Sequence, residues 1–347
     1  MGYRKFIWTL GLPIAAIAFL LSSCSLNMAV QESKNVSVPA AAQLPESSFL
    51  KRDDVREYIS DVSKKHQLDP NRLAILFADV QSQQSVLDAI SRPAEHVLNW
   101  AQYRPIFIGQ KRIDAGREFM REHAATLARA EREFGVPAKI IAAIIGVETF
   151  YGQVTGKHGV LESVATLAFD YPPRAKFFKS ELSEFLILSQ SENWDTASIK
   201  GSYAGAMGWP QFISSSYRHY AIDFDNDGKR DLFNSREDVI GSVANYLNVH
   251  GWLIDQPIAA PLSVTERRRS AVKGLQRKSL KPAIAPAQLS ALGFSVRGTD
   301  LVSVMHFQGK SGEEAWVGYK NFYVITRYNH SAMYALAVYQ LGELLSN

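Results

Sequence analysis

One carboxylate among isoleucines marks the first place where this chain could do chemistry. Within residues 140–152, Ile141, Ile144, Ile145 and Glu148 fall at helical spacing on one face. Ionising a carboxyl in an apolar setting is costly, so burial there favours the protonated form. A carboxyl that keeps its proton in an apolar cleft is what a general acid needs. The alternative is a helix that frays early and turns Glu148 to solvent. Pro137 is placed to open this helix and Gly152 to stop it.

Two other stretches carry chemistry-bearing types. Residues 201–217 hold Gly201, Gly205 and Gly208, which suggests close backbone approach. Ser202 and Gln211 sit there among Tyr203, Met207, Trp209 and Phe212. Flat apolar faces mixed with hydroxyl and amide groups suit a pyranose ring, and a tight helix contact built on small residues is the competing reading. Residues 223–231 place Asp223, Asp225 and Asp227 at positions 1, 3 and 5, Gly228 at 6 and Asp231 at 9 of an EF-hand calcium loop, with Lys229 between the last two. Position 12 is Asn234, so closure falls to Glu237 or Asp238 in a longer loop. The competing reading is a solvated acidic turn tied down by Lys229 and Arg230.

Elements are needed to hold these groups. Val55, Tyr58, Ile59 and Val62 predict a helix from Asp53, and Asp69-Pro70 opens another. Residues 113–134 read as one charged helix, and Phe177–Leu188 as an amphipathic one. Residues 239–252 read as a small-residue helix ending at Gly251. Residues 257–325 change style, with four prolines, a basic run at Arg267–Arg269 and β-like pieces at Leu301–Phe307 and Phe322–Ile325. They predict an inserted α+β lobe. A last helix contains Tyr334.

Length and composition set bounds. A chain of 347 residues allows one large domain or two to three lobes. The net charge is +4, of which Arg4 and Lys5 belong to a leader; the remaining charge does not argue for nucleic acid. Cys24 is the only cysteine, which excludes an intrachain disulfide and a cysteine-based zinc site. Arg4 and Lys5, then the apolar stretch Phe6–Leu21, form a secretory signal too short for a membrane span. It ends in Leu21-Ser22-Ser23-Cys24, which resembles the bacterial lipobox, where the cysteine is lipidated after residues 1–23 are removed. Ser25, by the same resemblance, implies the outer membrane. Residues 24–49 read as a polar tether, spanning at most about 85 Å when extended.

Five motifs occur in one order: Glu148-Thr149-Phe150-Tyr151-Gly152, then Ser202–Gly208 with Gln211-Phe212, the Asp-rich loop, Gly241–Tyr246, and Arg327-Tyr328-Asn329. From about residue 50 onward this resembles the membrane-bound lytic murein transglycosylase B family, glycoside hydrolase family 103. The resemblance implies a mainly α (α+β) fold: a lysozyme-like helical core over about 97–256 and 326–347, an additional helical lobe, and the small β-containing lobe at about 257–325. It implies cleavage of peptidoglycan glycan strands between N-acetylmuramic acid and N-acetylglucosamine, with a 1,6-anhydromuramyl product. Glu148 would be the acid and then the base. Ser202, Gln211, Tyr246, Tyr328, Asn329, Tyr334, Tyr103 and Arg174 would line the saccharide groove. No cofactor is expected for catalysis, a structural Ca²⁺ is, and so is a monomer anchored by lipid to the periplasmic face of the outer membrane. Pro173 departs from the second basic residue many members carry beside Arg174. The alternatives are a hydrolytic muramidase, which differs by one water, and a non-catalytic wall-binding lipoprotein.

Overall fold

The computed structural model describes residues 48–91 and 98–346. The signal, Cys24 and the tether up to residue 47 lie outside the described residues; Ser48 and Phe49, read as the end of the tether, are instead buried in the folded body. Helices dominate, and they begin where sequence chemistry says they should. Asp69 caps α2 (Pro70–Ala78) by accepting from the Asn71 amide at 2.9 Å. α1 is Asp53–His66 and α3 is Gln84–Ile90. These three pack beside α8 (Val160–Asp170) and α9 (Ala175–Ser191). Arg52 stitches this lobe to the core through Asp170, at 2.5 Å.

α4 (Trp100–Phe107), α5 (Gln110–Glu122) and α6 (Ala124–Phe134) lead to the central helix α7 (Ala138–Thr149). The expected single helix over 113–134 is two helices. They break at His123, whose φ of −108° and ψ of 23° leave the helical region. The break lets Ile113 and Phe119 on one piece and Leu127 and Ala130 on the other all turn inward. α7 is apolar all round rather than on one face: Ile140, Ile141, Ile144 and Ile145 are each 0% exposed. Burying each isoleucine contributes roughly 1.5–3 kcal/mol. The helix is wrapped by α5, α6, α11 (Arg236–Val249) and α15 (Ala332–Leu345).

α7 stops before Gly152. Phe150 takes φ 51° and Tyr151 φ 56°, both left-handed, and Gly152 continues at 82°. Thr149 holds this turn: its Oγ1 lies 2.9 Å from the Trp209 carbonyl and accepts from the Gly152 amide at 3.1 Å.

The inserted lobe has its own core, including Val272, Leu289, Val302 and Val317. Its sheet runs β3 (Ala259–Leu262), β5 (Gly312–Gly318), β4 (Ser303–Gly309), all antiparallel. Helix α12 (Glu266–Leu275) carries Arg267–Arg269 on an exposed face, and α13 is Pro286–Ser290. Phe322–Ile325, expected as β, lies inside α14 (Lys320–Tyr328). There the buried Asn321 amide exchanges hydrogen bonds with the Leu253 backbone, and Phe322 and Ile325 reach the core one helical turn apart. Tertiary burial overrides the β preference of the residues. Among the described residues, no helix is long and apolar enough to cross a membrane.

Candidate active site

α7 delivers Glu148 half-buried to the floor of a cleft of about 730 Å³. The opposite wall is the glycine-rich segment, which folds back through β2 (Lys200–Gly201), paired with β1 (His158–Gly159). Gly201 has to be glycine, because a side chain there would meet the Ala206 carbonyl. That close approach lets the Ser202 amide donate to Ala206 O at 2.8 Å, and lets Ser202 Oγ accept from the Ala206 amide at 3.0 Å. Gln211, itself left-handed at φ 51°, donates from Nε2 to Thr155 O at 3.0 Å and Gly208 O at 2.8 Å. Its side-chain amide is thereby fixed at the wall.

The third wall comes from α11 and the end of α14. Tyr246 donates to Arg327 O and Tyr328 to Pro210 O, both at 2.6 Å. Their rings lie 4.8 Å apart. Burial pushes both phenols well above their usual range, and for Tyr328 the Glu148 charge adds to it. Both are therefore neutral at any working pH.

Of the expected groove residues, Ser202, Gln211, Tyr246, Tyr328, Asn329 and Arg174 line this cleft with Glu148. Arg174 stacks on Phe177 at 4.4 Å. Tyr334 and Tyr103 do not line it. Tyr334 is 2% exposed and donates its hydroxyl to Glu148 Oε1 at 2.5 Å, so it fixes the carboxyl from within the wall. Tyr103 is 1% exposed and stacks on Trp100. Tyr203 from the glycine-rich segment and Arg327 from the last motif also line the cleft, as do Phe177 and His330, which carried no signal of a site.

The acidic loop is a separate construction. Carboxylate oxygens of Asp223, Asp225 and Asp227 lie within 4.8 Å of one another. The Gly228 amide donates to Asp223 at 2.8 Å, and Gly228 takes φ 89° to make the turn. The expected salt bridges from Lys229 and Arg230 are not made: Arg230 pairs with Glu192, and among the described residues no cation pairs with the three aspartates. Three hard oxygen donors without a counter-charge fit a divalent cation that prefers oxygen. Glu237 and Asp238 fall outside the group. Asp238 is fully buried, and its two oxygens accept from the amides of Phe224 at 2.6 Å and Asp231 at 2.7 Å. It braces the loop from behind through these two amides. The loop touches the cleft wall through the Trp209 amide on Leu232 O at 3.0 Å, and just beyond it Arg236 stacks on the Trp209 ring at 4.0 Å.

Comparison with known proteins adds four findings. Residues 51–343 match the family model described as a transglycosylase SLT domain. The chain is 36% identical over 311 residues to membrane-bound lytic murein transglycosylase B of Escherichia coli K12, covering 86% of this chain and 84% of that protein. The fold is similar to that of soluble lytic transglycosylase SltB1 from Pseudomonas aeruginosa, with TM-score 0.80 and 48% identity over 84% of this chain and 98% of that one. It is also similar to Escherichia coli Slt35 in complex with calcium, with TM-score 0.76 and 37% identity over 84% of this chain and 92% of that one.

Proposed function

Because the chain belongs to the transglycosylase SLT domain family, we propose that Glu148 carries out both proton transfers of a peptidoglycan lytic transglycosylase. One observation carries this reading. Among the described residues that line the cleft, Glu148 is the sole carboxylate. Most glycosidases that use water or a covalent intermediate employ two. A single carboxyl suffices when the substrate supplies the second function.

Glu148 gives its proton to the glycosidic oxygen between the muramyl and glucosaminyl units as the C1–O bond breaks. The muramyl 2-acetamido oxygen stabilises the electron-poor C1. The carboxylate then takes the proton of the C6 hydroxyl, whose oxygen bonds to C1. The muramyl end closes as a 1,6-anhydro sugar and no water is consumed. Tyr334 keeps the carboxyl aimed through both steps. Tyr246, Tyr328 and Asn329 present faces and polar groups to the sugar, Ser202 and Gln211 line the opposite wall, and Arg174 offers a cation to acidic substituents.

Mass spectrometry of digested peptidoglycan tests this. Anhydro ends are expected. Reducing ends would make the protein a hydrolase, and an absence of cleavage would reduce it to a binding protein.

Two peripheral features complete the reading. Asp223, Asp225 and Asp227, with the Lys229 carbonyl at the seventh loop position and Asp238 or Glu237 as the closing acid, hold a structural Ca²⁺. Support comes from the unpaired aspartates and from similarity to a relative crystallised with calcium. Cys24 carries lipid that anchors the body to the periplasmic face of the outer membrane, in keeping with the lipobox and with a relative named as membrane-bound. Fractionation of Cys24→Ala decides the point: release into the soluble fraction is expected, and retention in the membrane would refute the anchor.

A further inference from the structure

The inserted lobe carries a charge that the reaction above leaves unused. Residues 257–325 hold ten Lys and Arg against four Asp and Glu, a net +6. The rest of the chain from Cys24 onward holds 26 against 30, a net −4. The lobe's excess is concentrated in residues 266–281, where seven cations stand against one acid, Glu266.

This stretch is α12 and the irregular segment that follows it. Val272, 0% exposed, turns into the lobe core and fixes the helix with its charges outward. All seven cations are exposed. Two are neutralised: Arg269 pairs with Glu266 and Glu313, and Lys273 with Glu313. Arg268 and Arg277 donate only to the carbonyls of Gly293 and Gly274. Among the described residues, Arg267, Arg268, Arg277, Lys278 and Lys281 make no ion pair. A solvated helix face intersperses both signs. Five unneutralised cations over residues 267–281 repel one another unless a partner supplies the opposite charge.

None of the five lines the cleft. They are spread along about 15 Å of helix, from Arg267 to its end, and along the segment beyond. That layout fits an extended anionic surface better than a single carboxylate or phosphate. Leu301, 50% exposed, adjoins the Ile284–Val302 bridge that follows Lys281. An exposed leucine near lysines suits a headgroup layer, where ammonium groups meet phosphates and an apolar side chain dips below them. The tether supplies proximity, since it holds the body within about 85 Å of its anchor.

We propose that Arg267, Arg268, Arg277, Lys278 and Lys281 form a face that docks on anionic phospholipid headgroups of the membrane to which the tether leads. The same surface repels the acidic remainder of the body, so the two opposite charges set one orientation, lobe toward the membrane and body away from it. The inference goes beyond the catalytic reading and takes only proximity from the anchor. Each cation near an anionic bilayer tightens binding about fivefold, so five give a Kd of order a few tenths of a millimolar. That is too weak to hold an unanchored body through fractionation. On a tether the effective concentration is of order millimolar, which keeps the lobe seated most of the time.

Vesicle sedimentation tests this on the chain from residue 24 carrying Cys24→Ala, which bears no lipid, and Glu148→Gln, which prevents turnover. Vesicles of phosphatidylcholine and phosphatidylglycerol in equal parts are compared with phosphatidylcholine alone. Binding to the mixed vesicles is expected, with little to the neutral ones, and added salt should remove it. Arg267→Gln/Lys278→Gln/Lys281→Gln should weaken it about a hundredfold. With Glu148 restored, that triple variant should release anhydro ends from soluble glycan at the parental rate, which shows that it folds. Equal binding to both vesicles, or equal binding by parent and triple variant, would overturn the proposal. Purified peptidoglycan sacculi are the second surface. Loss of sacculus binding in the triple variant, with no vesicle binding by the parent, would assign the face to the wall and overturn it likewise. Fractionation of Cys24→Ala is read separately. A lipid-free Cys24 with binding to mixed vesicles removes the anchor alone, and an anchored protein without vesicle binding removes the docking face alone.

Discussion

The acidic loop and the catalytic cleft are built on opposite plans. The loop is local: its three aspartates fall within five residues, and its turn is closed by amides of Asp227 and Gly228 on Asp223. The cleft is assembled from distant segments, and the contact that fixes its carboxyl joins residues 186 apart. A local site keeps its geometry while its own backbone holds, whereas a dispersed site has its geometry only when the whole core is packed. Damage to the loop should therefore appear as lost stability, and damage to the cleft as lost turnover in an intact protein.

Glu148→Gln should break the comparison most sharply. The amide keeps the shape and forfeits the proton, so turnover should fall by at least about 10²–10⁴-fold. Release of anhydromuropeptides measures this beside binding of a chitooligosaccharide, which should survive. Near-parental turnover would mean that Glu148 is not the acid. Tyr334→Phe comes next. Losing a hydrogen bond to the carboxyl should cost roughly tenfold or more in kcat with little change in KM, because Tyr334 holds the acid and does not line the opening. A change confined to KM would make it a sugar ligand instead.

Calcium should raise the melting temperature of the parent and leave the Asp223→Ala/Asp227→Ala variant unmoved. A ligand selective for the folded state adds about 2.7 kcal/mol at a hundredfold excess over Kd. Turnover at low temperature should change little, since the loop meets the cleft wall at its edge, through Trp209 with Leu232 and Arg236. A large loss there would show that the two sites are not independent.

The smallest effect belongs to Glu181, buried on α9 and accepting from the Ser215 amide at 3.0 Å. Desolvation raises its pKa. An acid with a raised folded pKa carries no penalty below the ordinary glutamate range and its full penalty above its own raised value. Glu181→Gln, which can still accept from Ser215, should therefore gain stability over the parent as pH rises from acid toward neutral. Chemical denaturation at several pH values would show it, and a pH-independent difference would refute it.

What could be read from sequence follows the same division. The Asp223–Asp227 spacing needed only the backbone between them, so it was fully legible. Glu148 announced itself as an acid on an apolar helix, and the resemblance supplied Tyr246, Tyr328 and Asn329. The roles of Tyr334 and Tyr103 were not legible, because lining a cleft and standing behind its wall leave the same letter in the sequence. That Asp238 also braces the Phe224 and Asp231 amides was not legible for a similar reason, since an acid near a cluster of acids shows no sign of the amides it holds. The break at His123 and the helical state of Phe322–Ile325 were decided by which residues had to reach the core.

The left-handed pair Phe150-Tyr151 has a further consequence for recognising such proteins. Non-glycine residues in that region cost of order 1–3 kcal/mol each. Tyr151 is held over Gly116 and Gly146, where any larger residue would collide with its ring. Thr149, Phe150, Tyr151 and Gly152 are therefore constrained by backbone handedness and by the two small residues beneath them, not by contact with sugar. The string that follows the acid is a record of architecture. A descendant that lost Glu148 and its activity would still need Thr-Phe-Tyr-Gly to fold, so inferring catalysis from this signature requires checking the one letter in front of it.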